Sequence, residues 1–349
     1  MKNELGKYDI VLLFSGGLDS LLSAAILKEQ GLSVLALKFV HPFLPKILEL
    51  SERFYVEPQV GVDVLEVPTD EDYLRVILNP RFGYGSNANP CLDCKIHFFR
   101  RAWEFAKRVG ARGLATGEVL GQRPFSQRRE TIYLIEKEAG VSRMVVRPLC
   151  AKLLRPSVLE ESGIVDRNSL YDISGRSRKR QMELAKQFGI KKVPTPAGGC
   201  LLTDPSYAAR FFDAKLHGEV DLRSFLLLKV GRHMRIGGVK VVVGRNEHEN
   251  RILREKFSSG CYVLEPIDGK GPTVLVWENA DDEVVTEAAR VLARYVRGRR
   301  YVEVLARSPS GDERKLIVES MPEKCVDKLL IGCLLYTSDA ADELDGVDL

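Results

Sequence analysis

The sequence predicts an α/β protein, a doubly wound parallel sheet followed by a smaller α+β domain. Three observations carry this expectation. Apolar runs alternate with helix-like stretches through the first half of the chain, the pattern of βα repeats. The first run, Ile10–Phe14, is uninterrupted, as in a strand buried on both faces. Near Val193 the texture changes to shorter runs behind a Pro/Gly-rich joint. A length of 349 residues fits two domains of about 100–200 residues each.

Taken in order, Ile10–Phe14 is the first strand, Ser15–Ser20 a loop, and Leu21–Leu27 a helix stopped by Gly31. Val34–Val40 and Val62–Val67 are the second and third strands. Ile96–Val109 has amphipathic helical spacing and ends at Gly110, and Gly113–Gly117 is a fourth strand running into a loop. Ligands on such sheets sit beyond the strand carboxyl ends, where the loops Ser15–Ser20 and Ala115–Glu118 fall. After the joint Pro194–Gly199, the segments Phe225–Val230, Val239–Val243, Tyr262–Glu265 and Thr273–Trp277 read as β-like runs and Glu283–Arg297 as a helix. The expected division is 1–198 and 199–332.

Residues 333–349 are read as foreign to the natural chain. Cys333–Asp342 is the translation of TGT CTC TTA TAC ACA TCT GAC GCT GCC GAC, a transposase sequencing adapter, and the alternative is a disordered acidic tail. This tail carries five acids and no Lys or Arg, so without it the formal charge rises from +4 to +9. No apolar run approaches the about 20 residues of a membrane span, and no signal core opens the chain. A cytoplasmic enzyme is expected. Seven cysteines in such a chain, two of them spaced Cys-x-x-Cys, point to metal or redox chemistry rather than structural disulfides.

Ser15-Gly16-Gly17-Leu18-Asp19-Ser20 joins a buried strand to a helix. Glycines admit an anion close to the backbone, and first-turn N–H groups with the Ser15 and Ser20 hydroxyls can cradle phosphate oxygens. Asp19 would repel phosphate unless it holds a loop amide or sits near Mg²⁺. A bare Gly-Gly would be an ordinary turn. The whole loop resembles that of the PP-loop ATP pyrophosphatase superfamily, with its adenine nucleotide alpha hydrolase-like fold. The resemblance implies that Ser15, Gly16, Gly17, Asp19, Ser20, Thr116 and Gly117 bind ATP, which adenylates a carbonyl oxygen. Ala115–Gln122 with Ser126-Gln127, and then Arg147-Pro148-Leu149, is similar to the signature of tRNA 4-thiouridine synthetases. Asn89-Pro90-Cys91-Leu92-Asp93-Cys94 is similar to a block of tRNA 2-thiouridylases, whose final cysteine is catalytic, which carries over to Cys94.

Cys91 and Cys94 open a helix, a position expected to favour thiolate. Cys200, flanked by Gly198-Gly199, is exposed or movable. Cys150, Cys261 and Cys325 are expected to be buried packing residues. Two chemistries fit the first three. A persulfide on Cys200 attacks the adenylated carbon and Cys94 resolves the linkage as a disulfide, or Cys91, Cys94 and Cys200 hold three irons of a [4Fe–4S] cluster. The pair plus one distant cysteine resembles iron–sulfur-dependent tRNA thiolases, which tips the reading toward the cluster. A structural Zn²⁺ site would want a fourth ligand. His97 is expected to pack or face solvent.

From 176 to 192 there are seven Lys/Arg and one acid, and from Arg223 to Lys256 nine and three. The set Gly231-Arg232-His233-x-Arg235…Lys240…Gly244-Arg245-Asn246-Glu247 resembles the RNA-binding module of NFACT-type proteins. Arg178, Lys179, Arg180, Arg232, Arg235, Lys240 and Arg245 are therefore expected to contact RNA, the alternative being a sheet face salt-bridged through Glu247 and Glu249. Relatives carry an RNA-binding extension ahead of the loop. Here the loop begins at Ser15, and the C-terminal module is expected to dock tRNA instead.

The function expected is an ATP- and Mg²⁺-dependent tRNA thiouridine synthase with Cys94, Cys200 and Asp19 catalytic, making 4-thiouridine in preference to 2-thiouridine. Its partners are tRNA and a sulfur donor, either a cysteine desulfurase or sulfide. The alternatives are a PP-loop enzyme acting on a small molecule and a non-catalytic RNA- or ribosome-binding protein.

Overall fold

The computed structural model describes residues 8–193, 199–268 and 270–332. The joint at 194–198 and the tail 333–349 lie outside them. The chain divides into two compact units, 1–200 and 201–349.

The first unit runs β1 (Ile10–Leu13), α1 (Leu18–Glu29), β2 (Val34–Val40), β3 (Arg53–Glu57), β4 (Val62–Pro68), α2 (Glu71–Leu78), α3 (Cys91–Arg108), β5 (Gly113–Thr116), α4 (Arg129–Ala139), β6 (Val145–Val146), α5 (Val158–Glu161) and α6 (Lys179–Gln187). Its sheet has the order β3-β4-β2-β1-β5-β6, and every pairing is parallel except that of β3 with β4. The antiparallel edge was not foreseen, because Arg53–Glu57 is half polar and only the apolar runs had been read as strands. Alternation along the strands explains the double winding. Ile10 and Leu12 face a core shared with α1, α5 and α6, while Val11 faces a second core with α3 and α4. Caps fix the helix starts: Asp70 accepts the Tyr73 N–H, and Ser157 and Glu160 form a reciprocal capping box. Because β1 has β2 on one side and β5 on the other, the topology reverses there, and a crevice opens beyond the ends of β1 and β5.

The second unit runs α7 (Pro205–Leu216), α8 (Leu222–Leu227), β7 (Arg232–Ile236), β8 (Val239–Val243), α9 (Glu247–Ile252), β9 (Cys261–Pro266), β10 (Val274–Trp277), α10 (Asp282–Arg294), β11 (Tyr301–Arg307), β12 (Glu313–Glu319) and α11 (Glu323–Leu329). Its sheet is antiparallel throughout, in the order β12-β11-β9-β10-β8-β7. Helix α10 buries Val285, Ala288, Ala289 and Leu292 in the core formed with the sheet. Phe225–Val230 is not a strand. Asp221 caps the segment by accepting the Ser224 N–H, and the apolar run becomes α8. Among the described residues no helix is long and apolar enough to cross a membrane.

Candidate active site

Gly16 sits at φ +75°, a conformation in which a side chain is strained, and Gly17 is the extended N-cap of α1. The loop braces itself: Ser20 Oγ donates to the Gly17 carbonyl at 2.8 Å, and Ser15 Oγ donates to Ser20 Oγ at 3.3 Å. The loop after β5 crosses this first turn at close quarters. A Cβ on Gly117 would stand 2.6 Å from the Asp19 carbonyl carbon and from the Ser20 nitrogen, so only glycine permits the approach.

Between the two loops lies a cleft of about 650 Å³, within the usual range for small-molecule sites. Ser15, Gly17, Asp19, Ser20, Thr116 and Gly117 line one end with Arg123, Arg176 and Arg178, and Leu37, Phe39 and Phe98 give an apolar wall. One end thus suits phosphates, aided by the α1 dipole, and the other a flat base. Burial raises the Asp19 pKa, opposed by the hydrogen bond from Gln122 and the charges of Arg178 and Arg123. Gln122 Nε2 donates to Asp19 Oδ2 at 3.1 Å and Gln181 also favours the charged carboxyl, while no donor meets hydrogen-bond geometry at the buried Oδ1. An unpartnered carboxylate oxygen beside a phosphate cradle fits a Mg²⁺ ion.

A buried ionic chain stands behind the cleft. Glu118 takes Lys95 on one oxygen and Arg147 Nε at 3.0 Å on the other, and Arg147 Nη1 continues to Glu136 at 2.5 Å. Burial pushes the Glu118 pKa up, but Lys95 and Arg147 outweigh it and hold the carboxyl below its ordinary value. The chain ties the loop after β5 to α3, the helix that carries the cysteine pair.

Helix α3 starts at Cys91, five residues before the sequence-derived start, so both cysteines lie in or next to its first turn. Asp93 between them is buried and accepts the Arg81 and Phe82 N–H groups at 2.9 and 3.0 Å, fixing the preceding loop. Cys91 Sγ donates to Asn89 Oδ1 at 3.1 Å. The expectation of a thiolate at Cys94 is corrected. Burial pushes its pKa well up, the thiols of Cys200 and Cys91 add to the rise, and only the Tyr73 hydrogen bond and Lys95 oppose it. The helix dipole does not overcome desolvation here. Tyr73, on α2, approaches Cys94 Sγ with its hydroxyl at 3.5 Å and lies within electrostatic reach of all three cysteines. Among the described residues no three His, Cys, Asp or Glu side chains stand together as a metal site. His97 packs, its ring 5.5 Å from that of Tyr73. Cys150 and Cys261 are buried, whereas Cys325 is exposed, contrary to expectation.

The sequence-derived RNA contacts separate into two groups. Lys240 is wholly buried, with Nζ on Glu219 at 2.5 Å and over the Trp277 ring. Arg235 is clamped by Asp213 and Glu219, both at 2.7 Å, and Arg245 by Glu249 at 2.5 Å. Lys240 and Arg235 are corrected: they lock the second unit together and do not present a free cation to RNA, whereas Arg245, though paired, stays 44% exposed. In the same motif Asn246 caps α9, and Asn250 Oδ1 accepts the Thr273 N–H at 3.0 Å. Arg232 stacks on Tyr295 at 4.9 Å. In the first unit Arg178 lines the cleft, Lys179 is exposed and Arg180 pairs with Glu183 at 3.0 Å. Tyr73, Asp93 and Lys95 were missed. Asp93 lies within the Cys-x-x-Cys spacing, a signal that was available, but nothing in the sequence connects Tyr73 to a helix starting eighteen residues later.

The fold and cleft define an α/β domain with a phosphate-suited loop and a cysteine pair, joined in sequence to an antiparallel second unit. Comparison with known proteins sharpens this. Residues 6–153 match the family model "Thiamine biosynthesis protein (ThiI)", and residues 231–329 match "NFACT protein RNA binding domain". The first unit is thus similar to the ThiI model and the second to the NFACT RNA-binding model, each over less than half of the chain. It is 26% identical over 148 residues to a probable tRNA sulfurtransferase of Thermococcus kodakarensis, covering 40% of this chain and 36% of that protein. It is 29% identical over 132 residues to the tRNA-specific 2-thiouridylase MnmA of Geobacter metallireducens, covering 33% and 36%. With MnmA of Dechloromonas aromatica it shares 26% over 265 residues, 68% of each. The chain therefore spans about a third of the length of the first two relatives. A predicted tRNA methyltransferase subunit from Methanocaldococcus jannaschii aligns at 21% identity over 40% of this chain and 68% of its own, with a TM-score of 0.28, too low to carry an argument.

Proposed function

We propose that the protein is a cytoplasmic, ATP-dependent tRNA sulfurtransferase that replaces a uridine carbonyl oxygen with sulfur, 4-thiouridine in preference to 2-thiouridine. The observation that carries this reading is that one compact unit holds a nucleotide-sized cleft and a Cys94 thiol within electrostatic reach of Cys91 and Cys200. ATP phosphates rest on Ser15–Ser20 and the α1 N-terminus, with Thr116 and Gly117 closing over them. Asp19 would hold the accompanying Mg²⁺, which would offset the negative charge of the phosphates. The uridine oxygen attacks the α-phosphorus, pyrophosphate leaves, and the adenylated carbon becomes open to a sulfur nucleophile with AMP as leaving group. The outer sulfur of a Cys200 persulfide is that nucleophile, passed to the Cys200 thiol from the persulfide of a cysteine desulfurase, whose own thiol is the leaving group. Cys94 then breaks the linkage, and no step is routed through iron.

The test is nucleoside mass spectrometry of unmodified tRNA after anaerobic incubation with the protein, Mg-ATP and a sulfur source, in parallel with protein reconstituted with iron and sulfide. Thiouridine with wild type and none with Cys200→Ser supports the reading. Thiolation at the wild-type rate by Cys200→Ser would remove these roles. Thiolation only after reconstitution would replace the persulfide route with the cluster. ATP turnover on a small molecule after deletion of residues 201–349 would favour the small-molecule alternative.

A further inference from the structure

We propose that Tyr73 is the positioning residue of the sulfur step, its hydroxyl holding Cys94 Sγ beside Cys200 and donating to that sulfur as it attacks. The inference rests on the sulfurtransferase reading above. Its basis is geometric. Tyr73 is wholly buried, and its hydroxyl lies 3.5 Å from Cys94 Sγ. The ring cannot swing away. Phe98 stacks on it at 5.1 Å and 17°, and Phe39 stacks on Phe98 at 4.6 Å and 8°. His41 and Phe43 close the other side at 5.5 and 6.2 Å. Phe39, His41 and Phe98 also line the nucleotide cleft, so the stack runs from the ATP site to the cysteines. Tyr73 sits on α2, Cys94 on α3 and Cys200 beyond α6, so this hydroxyl is a fixed point contributed from outside the cysteine-bearing segments.

In the step assigned, uridine is joined through the outer sulfur to Cys200 Sγ. Cys94 Sγ, a thiol at rest, gives up its proton to solvent as it attacks Cys200 Sγ. A Cys94–Cys200 disulfide forms, the bond between Cys200 Sγ and the outer sulfur breaks, and its electron pair leaves on the thiouridine sulfur. The two cysteines are oxidised, the transferred sulfur is reduced, and an external thiol resets the disulfide. A sulfur that takes on negative charge as it attacks needs a donor that cannot itself be displaced, and a buried phenol stacked between rings supplies one.

The experiment uses the full chain with Tyr73→Phe, which keeps the ring and its stacking. The rate of Cys94–Cys200 disulfide formation on adding diamide is read by peptide mass spectrometry. The expected loss is about tenfold, the effect of one hydrogen bond to a charged group. In the tRNA assay, thiouridine formation falls by a similar factor while the ATP KM and the burst of AMP stay unchanged, a split that general loosening of the fold would not give. Equal disulfide rates in the two proteins overturn the proposal, as does a matching rise in the ATP KM. If wild type forms the disulfide faster than Tyr73→Phe but makes no thiouridine, the sulfurtransferase reading fails and the positioning role stands. Tyr73→Leu, which removes the ring, is expected to lower the melting temperature as well, separating loss of packing from loss of the hydroxyl.

Discussion

Substituting Gly117 by alanine adds one methyl group where two backbone segments touch. The new Cβ would sit 2.6 Å from the Asp19 carbonyl carbon and the Ser20 nitrogen and 2.7 Å from the Asp19 oxygen. Ordinary contact needs about 3.5 Å, so the loop after β5 and the first turn of α1 must separate by nearly ~1 Å. Neither neighbour is a side chain that can rotate. Overpacking of this kind costs about 1–3 kcal/mol, and for a unit of this size each kcal/mol lowers the melting temperature by about 2–4 °C. The expected fall is thus roughly 2–12 °C. The effect on the site is larger, because a ~1 Å misplacement of binding groups can cost ~100-fold. ATP affinity, measured by isothermal titration with Mg-ATP, should drop at least ~10-fold. Gly113→Ala, at the other end of β5, is the matched control, since its Cβ meets Leu159 Cδ1 and, at 2.9 Å, the Met144 oxygen, none of which lines the cleft. It should lower the melting temperature and leave ATP affinity intact. Wild-type ATP affinity in Gly117→Ala would refute the claim that the two loops form one binding surface.

Three further outcomes follow from the same geometry. Glu118→Gln leaves Lys95 and Arg147 without their shared carboxylate and should cost about 3–5 kcal/mol at neutral pH. Because the folded pKa of Glu118 lies below its unfolded value, its stabilisation is complete above about pH 4.5 and is lost as pH falls through the lowered pKa, so melting curves across acid pH should show that loss in wild type and not in the variant. Lys240→Met should leave RNA affinity and its salt dependence unchanged, since a buried amine neutralises no phosphate. A slope in log affinity against log salt that shrinks by about one would contradict this. Asp93→Ala removes the acceptor for the Arg81 and Phe82 N–H groups, and should cost about 1–3 kcal/mol and speed alkylation of Cys91 severalfold.

What could be read from the residues follows how local the determinants are. The run Ile10–Phe14 and the strand before Thr116 fall close to where their local patterns place them, while α1 begins at Leu18, inside the loop expected over Ser15–Ser20. Val239–Val243 is a strand as expected, and the helix expected over Glu283–Arg297 runs over Asp282–Arg294. The edge strand β3 escaped because it buries little, and α8 because a capping aspartate outweighs an apolar run that by itself suits either structure. At the site, Gly117 was visible as a motif residue, but the contact that demands it was not, because Asp19 lies about a hundred positions away. The thiolate expected at Cys94 failed for a similar reason. The helix start is a local feature, while the burial that reverses its effect comes from how the chain packs around Cys94 and is not written in the Cys-x-x-Cys segment.

The basic motif of the second unit shows how counting charges over a window can mislead. Nine cations against three acids between Arg223 and Lys256 suggests an exposed positive face. The acids that neutralise Arg235 and Lys240 are Asp213 and Glu219, which precede the window, and Arg254 reaches Glu265 beyond it. An arginine held by two carboxylates loses those bonds before it can take a phosphate, so its net gain from RNA is small. Phosphate contact favours cations that are exposed and form no ion pair. Among the described residues Arg176 and Lys179 meet both conditions, and both stand at the start of α6, close in sequence to the cleft-lining Arg178. Charge reversal at Arg176 and Lys179 should therefore weaken tRNA binding and lower its salt slope by about two, while Arg235→Gln should lower the melting temperature and leave the slope unchanged. The opposite pattern would return the RNA contact to the motif arginines and require their carboxylate clamps to open on binding.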